Sequence, residues 1–220
     1  MAPGRSDRIR RLMKPLVFLL GLMPLAFLVW GFLTDTLSAN PISDLTKESG
    51  VWTLRFLVIT LAITPLREIT GWNQLQRFRR MVGLFAFFYG CMHFTTYIYL
   101  DKFFEWQEIV KDVAKRPFIT VGFSAFALLV PLAATSPNVM IKWMGGKRWR
   151  LLHRLVYVSA VAGVVHYLWL VKADTRRPLT YGLLVFILLA FRLVWYWKAR
   201  SSKTGPASPA HRPLPSDALQ

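Results

Sequence analysis

The sequence predicts an all-α membrane protein, a six-transmembrane-helix bundle with both termini cytoplasmic. Three observations carry this reading. Of the 220 residues, 54% are hydrophobic and the mean hydropathy is positive, too apolar for one soluble domain. The apolar residues fall into six runs, each near the ~20 residues that a helix needs to cross a bilayer. The basic residues that give a formal net charge of +17 lie between these runs. That spacing fits the positive-inside rule better than a nucleic-acid-binding face, so no nucleic acid is expected as a partner.

The chain divides into a basic cytoplasmic amino terminus (1–14), a transmembrane domain (15–200) and a disordered cytoplasmic tail (201–220). The first run, 15–33, follows MAPGRSDRIRRLMK and imitates a secretory signal. Its apolar stretch exceeds the ~7–15 residues of a signal's apolar core, so it reads as a retained span. The second run, 51–66, is short and carries Arg55 near one end, where the side chain can snorkel. The third covers 81–100 and the fourth 117–134, then come 151–171 and 179–197. Pro117 and Pro178 stand where helices start, which suits a residue without an amide hydrogen. Pro24 and Pro131 fall inside runs and are expected to kink them. Between the third and fourth runs, DKFFEWQEIVKDVAKR spaces its apolar residues roughly as a helix does. It reads either as a short amphipathic helix on the outer surface or as a connecting turn. The tail is rich in Pro, Ser and Ala with nothing to bury, and its His211 is given no role.

Charge sets the orientation. Arg5, Arg8, Arg10, Arg11 and Lys14 precede the first run, and Arg67, Arg77, Arg79 and Arg80 separate the second from the third. Lys142, Lys147, Arg148, Arg150 and Arg154 precede or enter the fifth, and Lys198, Arg200 and Lys203 follow the sixth. The alternate loops balance their lysines and arginines with Asp and Glu or hold few. Both ends therefore face the cytoplasm. Tryptophans cluster near the span ends, as an aromatic belt would.

The chemistry is carried by histidines. Ionisable residues inside a membrane are costly and mark function. His93 lies 12 residues past Met81, about 18 Å up its helix, and His166 lies 15 past Leu151, about 22 Å up. Two imidazoles at one depth on separate helices are what a six-coordinate b-type haem needs, because the macrocycle supplies the other four nitrogens. Gly90 and Gly163 each precede a histidine by three residues, and Gly83 repeats this lower on the third helix. Small residues there would let a flat ring approach the backbone, although they also suit tight helix packing. No carboxylate stands in the middle of either helix, so zinc and di-iron chemistry lack ligands. The single cysteine, Cys91, excludes an internal disulfide and reads as an inert buried thiol.

His153 lies 13 residues before His166, about 20 Å along the axis and near the inner surface. A matching inner histidine on the third helix would stand at position 79, which is Arg79. Guanidinium is a poor iron ligand but suits a haem propionate or a phosphate. The readings for His153 are a second haem, a flavin, a quinone, or an interfacial histidine without a cofactor. One haem is expected, or two if His153 binds its own.

The GxxH of the third helix, the entry GKRWRLLHRLVYV to the fifth and HYLW at its far end resemble the MsrQ (YedZ) family over about residues 10–200. This family comprises the haem-binding membrane subunits of methionine-sulfoxide reductase systems. The resemblance implies a ferric-reductase-like six-helix domain, related to the haem core of NADPH oxidases but without their flavin and nicotinamide module. It implies a location in the bacterial inner membrane, with electrons taken from the quinone pool or a cytoplasmic flavin reductase. They would pass through haem b and FMN to a periplasmic, molybdenum-dependent catalytic subunit, MsrP. His93 and His166 match the family's outer haem pair, and His153 its inner histidine. An FMN phosphate would be met by Arg79, Arg148 and Arg150. Such a chain is a redox subunit rather than the catalytic one. Two other readings are a cytochrome b561-like quinol:ferric reductase, which expects four paired histidines, and a small transporter, which expects internal repeats.

Overall fold

A computed structural model gives the fold and describes residues 5–201. Apart from Ser201, the expected disordered tail with His211 lies outside the described residues, as do residues 1–4 of the amino terminus. Among the described residues all regular structure is helical. The elements are α1 (Arg5–Leu33), α2 (Pro41–Thr70), α3 (Gln76–Thr95), α4 (Trp106–Lys115), α5 (Pro117–Ala134), α6 (Asn138–Met144), α7 (Gly146–Leu152), α8 (Leu155–Leu170) and α9 (Arg176–Ser201). A 3-10 turn (Asn73–Leu75) enters α3, and a π-helical turn (Thr96–Asp101) extends it. Six stretches are long and apolar enough to span a membrane: Met13–Leu33, Pro41–Thr70, Asn73–Asp101, Pro117–Ala134, Gly146–Leu170 and Arg176–Lys198. The fold is the six-span bundle expected.

Several helices start earlier than the sequence reading has them, α1 at Arg5 and α3 at Gln76, which takes Arg77, Arg79 and Arg80 into α3. Two spans differ more deeply. Asn40 caps α2 by accepting a 3.0 Å bond from the Ser43 amide, and Pro41 opens the first turn. At the other end Gly71, with φ of 71°, donates its amide to the Arg67 carbonyl. These signals make α2 30 residues long, about 45 Å, rather than the short run 51–66. Arg55 therefore sits midway along the helix, not at an end where it could snorkel. The fifth span is broken: α7 stops at Leu152, His153 and Arg154 form a tight turn, and α8 resumes at Leu155.

The bundle is assembled from two close pairs, α2 against α3 and α5 against α8, with α9 lying on α2 and α8 and α1 on α3. Small residues bring α5 and α8 together. Ser159 and Ala160 are fully buried, and the Ser159 hydroxyl donates to the Ala125 carbonyl at 2.8 Å. On the α1 side, Gly21 gives the Phe85 ring its room, since a Cβ there would lie 2.2 Å from the ring. The buried Tyr89 hydroxyl inserts into the α1 ladder beside Pro24. It accepts from the Leu25 amide at 3.0 Å and donates to the Gly21 carbonyl at 2.9 Å. Large apolar side chains such as Leu19, Phe27, Leu183 and Phe186 are exposed on α1 and α9, where lipid is the matching solvent.

The segment between the third and fourth spans is helical rather than a turn. Ile109 and Asp112 are buried while Trp106 and Val110 are exposed. Asp112 pins α4 through Lys102 at 2.7 Å and Arg116 at 3.5 Å. The Lys102 hydrogen bond holds the Asp112 carboxyl below the usual carboxylate range.

Candidate cofactor site at the paired histidines

His93 on α3 and His166 on α8 face each other across the junction of the two helix pairs, with ring centres 6.1 Å apart. Each imidazole is oriented the same way. His93 Nδ1 lies 2.7 Å from the Thr46 carbonyl of α2, and His166 Nδ1 lies 2.6 Å from the Phe118 carbonyl of α5. A carbonyl only accepts, so both Nδ1 atoms carry the proton and each Nε2 keeps its lone pair. Among the described residues neither Nε2 has a hydrogen-bond partner.

A glycine stands four residues after each of these carbonyls, Gly50 after Thr46 and Gly122 after Phe118. A Cβ at Gly50 would lie 2.9 Å from His93 Nδ1, and one at Gly122 would lie 2.5 Å from His166 Nδ1. The glycines clear the approach of each ring to the backbone oxygen one turn away. Imidazoles bound to opposite faces of one metal at about 2 Å each have centres about 6 Å apart, the spacing found here. Among the described residues no group of three or more His, Cys, Asp or Glu could hold a bare ion, so the remaining ligands of an iron would come from a macrocycle. Between α3 and α5, Phe87 and Phe94 stack or tilt against Phe123 and Phe126 at 4.9–5.9 Å, an apolar wall in which Phe94 follows His93 in sequence, and Phe118 lies 6.3 Å from the His166 ring. The donor set and the apolar wall fit a haem.

The glycines singled out in the sequence have other neighbours. A Cβ at Gly90 would meet Phe126 at 3.3 Å, one at Gly163 would meet Leu54 at 3.6 Å, and one at Gly83 would meet Thr60 at 3.7 Å. None of the three touches an imidazole. Gly50 and Gly122 escaped the reading because they lie on the partner helices. A glycine in each helix preceding a histidine-bearing one was the available signal. Cys91 is half-buried.

At the other end of α8, His153 stacks on Trp149 with centres 3.9 Å apart. The Thr135 hydroxyl gives its proton to the Pro131 carbonyl at 2.6 Å, so its oxygen accepts from His153 Nε2 at 3.1 Å. Among the described residues no second imidazole faces His153, which leaves the four-histidine pattern of a b561-like reductase unbuilt. Arg79 and Arg80 lie within electrostatic reach of His153, and Arg79 also acts on Arg192. Arg192, which the sequence reading passed over, donates to the Leu61 carbonyl at 2.7 Å and the Tyr157 hydroxyl at 2.9 Å. Its Nε and the Thr64 hydroxyl are buried without a partner among the described residues. Arg148 and Arg150 are exposed on α7, and no contact among the described residues ties them to Arg79.

A family model described as ferric reductase like transmembrane component matches residues 49–164, which include His93 and His153. A Herminiimonas arsenicoxydans protein is 54% identical over 89% of this chain and 91% of its own length. Relatives from Azospira oryzae (52% identical, 82% of this chain, 78% of the relative) and Rhodospirillum rubrum (49%, 91% and 95%) align similarly. All three are named protein-methionine-sulfoxide reductase heme-binding subunit MsrQ. With about half its residues shared along most of its length, and with a ferric-reductase-like core, the chain belongs to the MsrQ family.

Proposed function

We propose that this chain is the haem-carrying electron-transfer subunit of a methionine-sulfoxide reductase system in the bacterial inner membrane. The observation that carries the reading is the facing pair of Nδ1-anchored imidazoles with centres 6.1 Å apart. The heme-binding name of its relatives supports it.

His93 and His166 would hold the iron of a haem, each through the Nε2 that its Nδ1–H bond leaves free. Their Nδ1–H bonds to Thr46 and Phe118 fix ring orientation and raise ligand basicity, as outer partners of metal-bound histidines do. Haem b, when bound, supplies the one-electron chemistry. The residues 15–200 are its membrane domain, with both termini cytoplasmic, as the basic loops require. That orientation puts the histidine pair in the outward half, facing a periplasmic molybdenum-dependent partner that reduces methionine sulfoxide.

Electrons enter at the cytoplasmic end from the quinone pool or a flavin reductase. Half-buried His153, Arg79 and Arg192, with the orphaned Thr64 hydroxyl, form a cationic inner site there for a second haem, a quinone or a flavin. The exposed guanidiniums of Arg148 and Arg150 offer the charge that an FMN phosphate needs.

The test is the dithionite-reduced minus oxidised spectrum of purified protein from haem-replete cells. A sharp alpha band is expected in the wild type. His93→Ala and His166→Ala should each remove the outer haem signal, while His153→Ala should retain it. A normal spectrum in both outer variants refutes the pairing.

A further inference from the structure

We propose that Arg55, steadied by Tyr181 and Trp52, is the counter-ion for a carboxylate of the haem held between His93 and His166. The proposal rests on the haem reading above and names the group that fixes the ring's rotation in its slot.

Arg55 is 14 residues from the start of α2 and 15 from its end, about 20 Å from either. A cation at that depth is costly unless something compensates it. Its visible partners are both neutral. Nε donates to the Tyr181 hydroxyl at 3.0 Å, and the guanidinium carbon stands 4.3 Å over the Trp52 ring. Among the described residues no carboxylate lies within 4 Å of it. Glu48, the acid of the same corner, is seven residues away, about 10 Å along the axis. With Nε occupied, the four Nη hydrogens remain for a ligand, and a guanidinium fork matches a carboxylate better than a carbonyl or an apolar group.

Depth places that fork near the level of the histidine pair. Helical side chains lean toward their own amino terminus, and Arg55 leans over Trp52. Trp52 is two residues, about 3 Å along the axis, from Gly50, the glycine against the His93 ring, so fork and ring share a depth on different sides of α2. On the other side, Tyr181 lies 6.3 Å from Tyr167, the residue after His166. The histidine pair thus has a polar, cationic corner between α2, α8 and α9. Its α3–α5 side is the phenylalanine wall. Haem has the same asymmetry, with two carboxylates on one edge and an apolar opposite edge. The ring should seat with its acid edge toward Arg55.

Removing this cation leaves negative charge near the iron and favours the ferric form. The experiment is a potentiometric titration of purified, haem-loaded wild type, Arg55→Gln and Arg55→Lys, with a haem exchange control. Arg55→Gln should keep the six-coordinate spectrum while its reduction equilibrium moves at least tenfold toward the oxidised form, a fall of 59 mV for one electron. Arg55→Lys, which keeps the charge, should stay within threefold of wild type. An Arg55→Gln protein with a wild-type potential overturns the proposal, and a colourless wild type sinks the haem reading beneath it. If the Gln variant loses haem, haem-depleted wild type is loaded with haem or with its dimethyl ester. Binding of the ester at least tenfold more weakly supports the proposal, and equal binding overturns it.

Discussion

Replacing Gly122 by alanine adds one methyl group at a point where two effects oppose each other. In an unobstructed helix the change is stabilising by about 1 kcal/mol, because alanine has less backbone freedom to lose. At Gly122 the new Cβ would lie 2.5 Å from His166 Nδ1, 2.7 Å from Cε1 and 2.9 Å from Cγ. Carbon contacts settle at about 3.5–4.0 Å, so the ring must retreat by roughly 1 Å. That retreat stretches the 2.6 Å bond to the Phe118 carbonyl beyond hydrogen-bond range. Losing the bond costs about 1–3 kcal/mol and the overpacking about 1–3 more. The clash wins by about 1–5 kcal/mol, and at 1.4 kcal/mol per decade haem affinity should fall about fivefold or more. Haem titration of the depleted protein, followed at the Soret band, measures this. Gly50→Ala should do the same more mildly, since its nearest approach is 2.9 Å. Gly83→Ala, with an ordinary 3.7 Å contact, should leave affinity unchanged. If Gly122→Ala binds haem fully and melts at a higher temperature, the ring does not occupy the position on which the site depends.

Tyr89→Phe removes the hydroxyl that bridges Leu25 and Gly21, and should destabilise the protein by about 1–3 kcal/mol with faster amide exchange at Leu25. Unchanged exchange there would contradict the bridge. Asp112 has a depressed carboxyl pKa, owing first to Lys102, so its stabilisation of α4 is fully present above the unfolded value of about 3.9. It is lost as the pH falls through the lower folded value, and Trp106 fluorescence should report α4 loosening only below about pH 4. Asp112→Asn should loosen the helix already at neutral pH. A wild type that loosens at pH 5–6 would point to a different anchor.

Hydropathy alone marks six spans, and for the fourth it finds the bounds 117–134 that α5 has. It fails at α2 because Asp44, Lys47, Glu48, Arg67 and Glu68 are polar parts of a continuous helix. The Asn40–Pro41 cap and Gly71 were the better boundary signals, and missing them put Arg55 at an end. Counting rise per residue places His93 and His166 at one depth, but no single helix tells which way a side chain faces across a bundle. That is why the ring-clearing glycines were sought beside the histidines rather than on α2 and α5. The break at His153 has no proline or glycine to announce it, and Trp149 and Thr135 hold it only once the chain is folded.

Electron paramagnetic resonance of the oxidised, haem-loaded protein addresses the shared iron directly. Two imidazoles on one ferric haem give a low-spin signal, and its loss in both His93→Ala and His166→Ala is the predicted result. A high-spin wild type, or a low-spin signal that survives both substitutions, would contradict it.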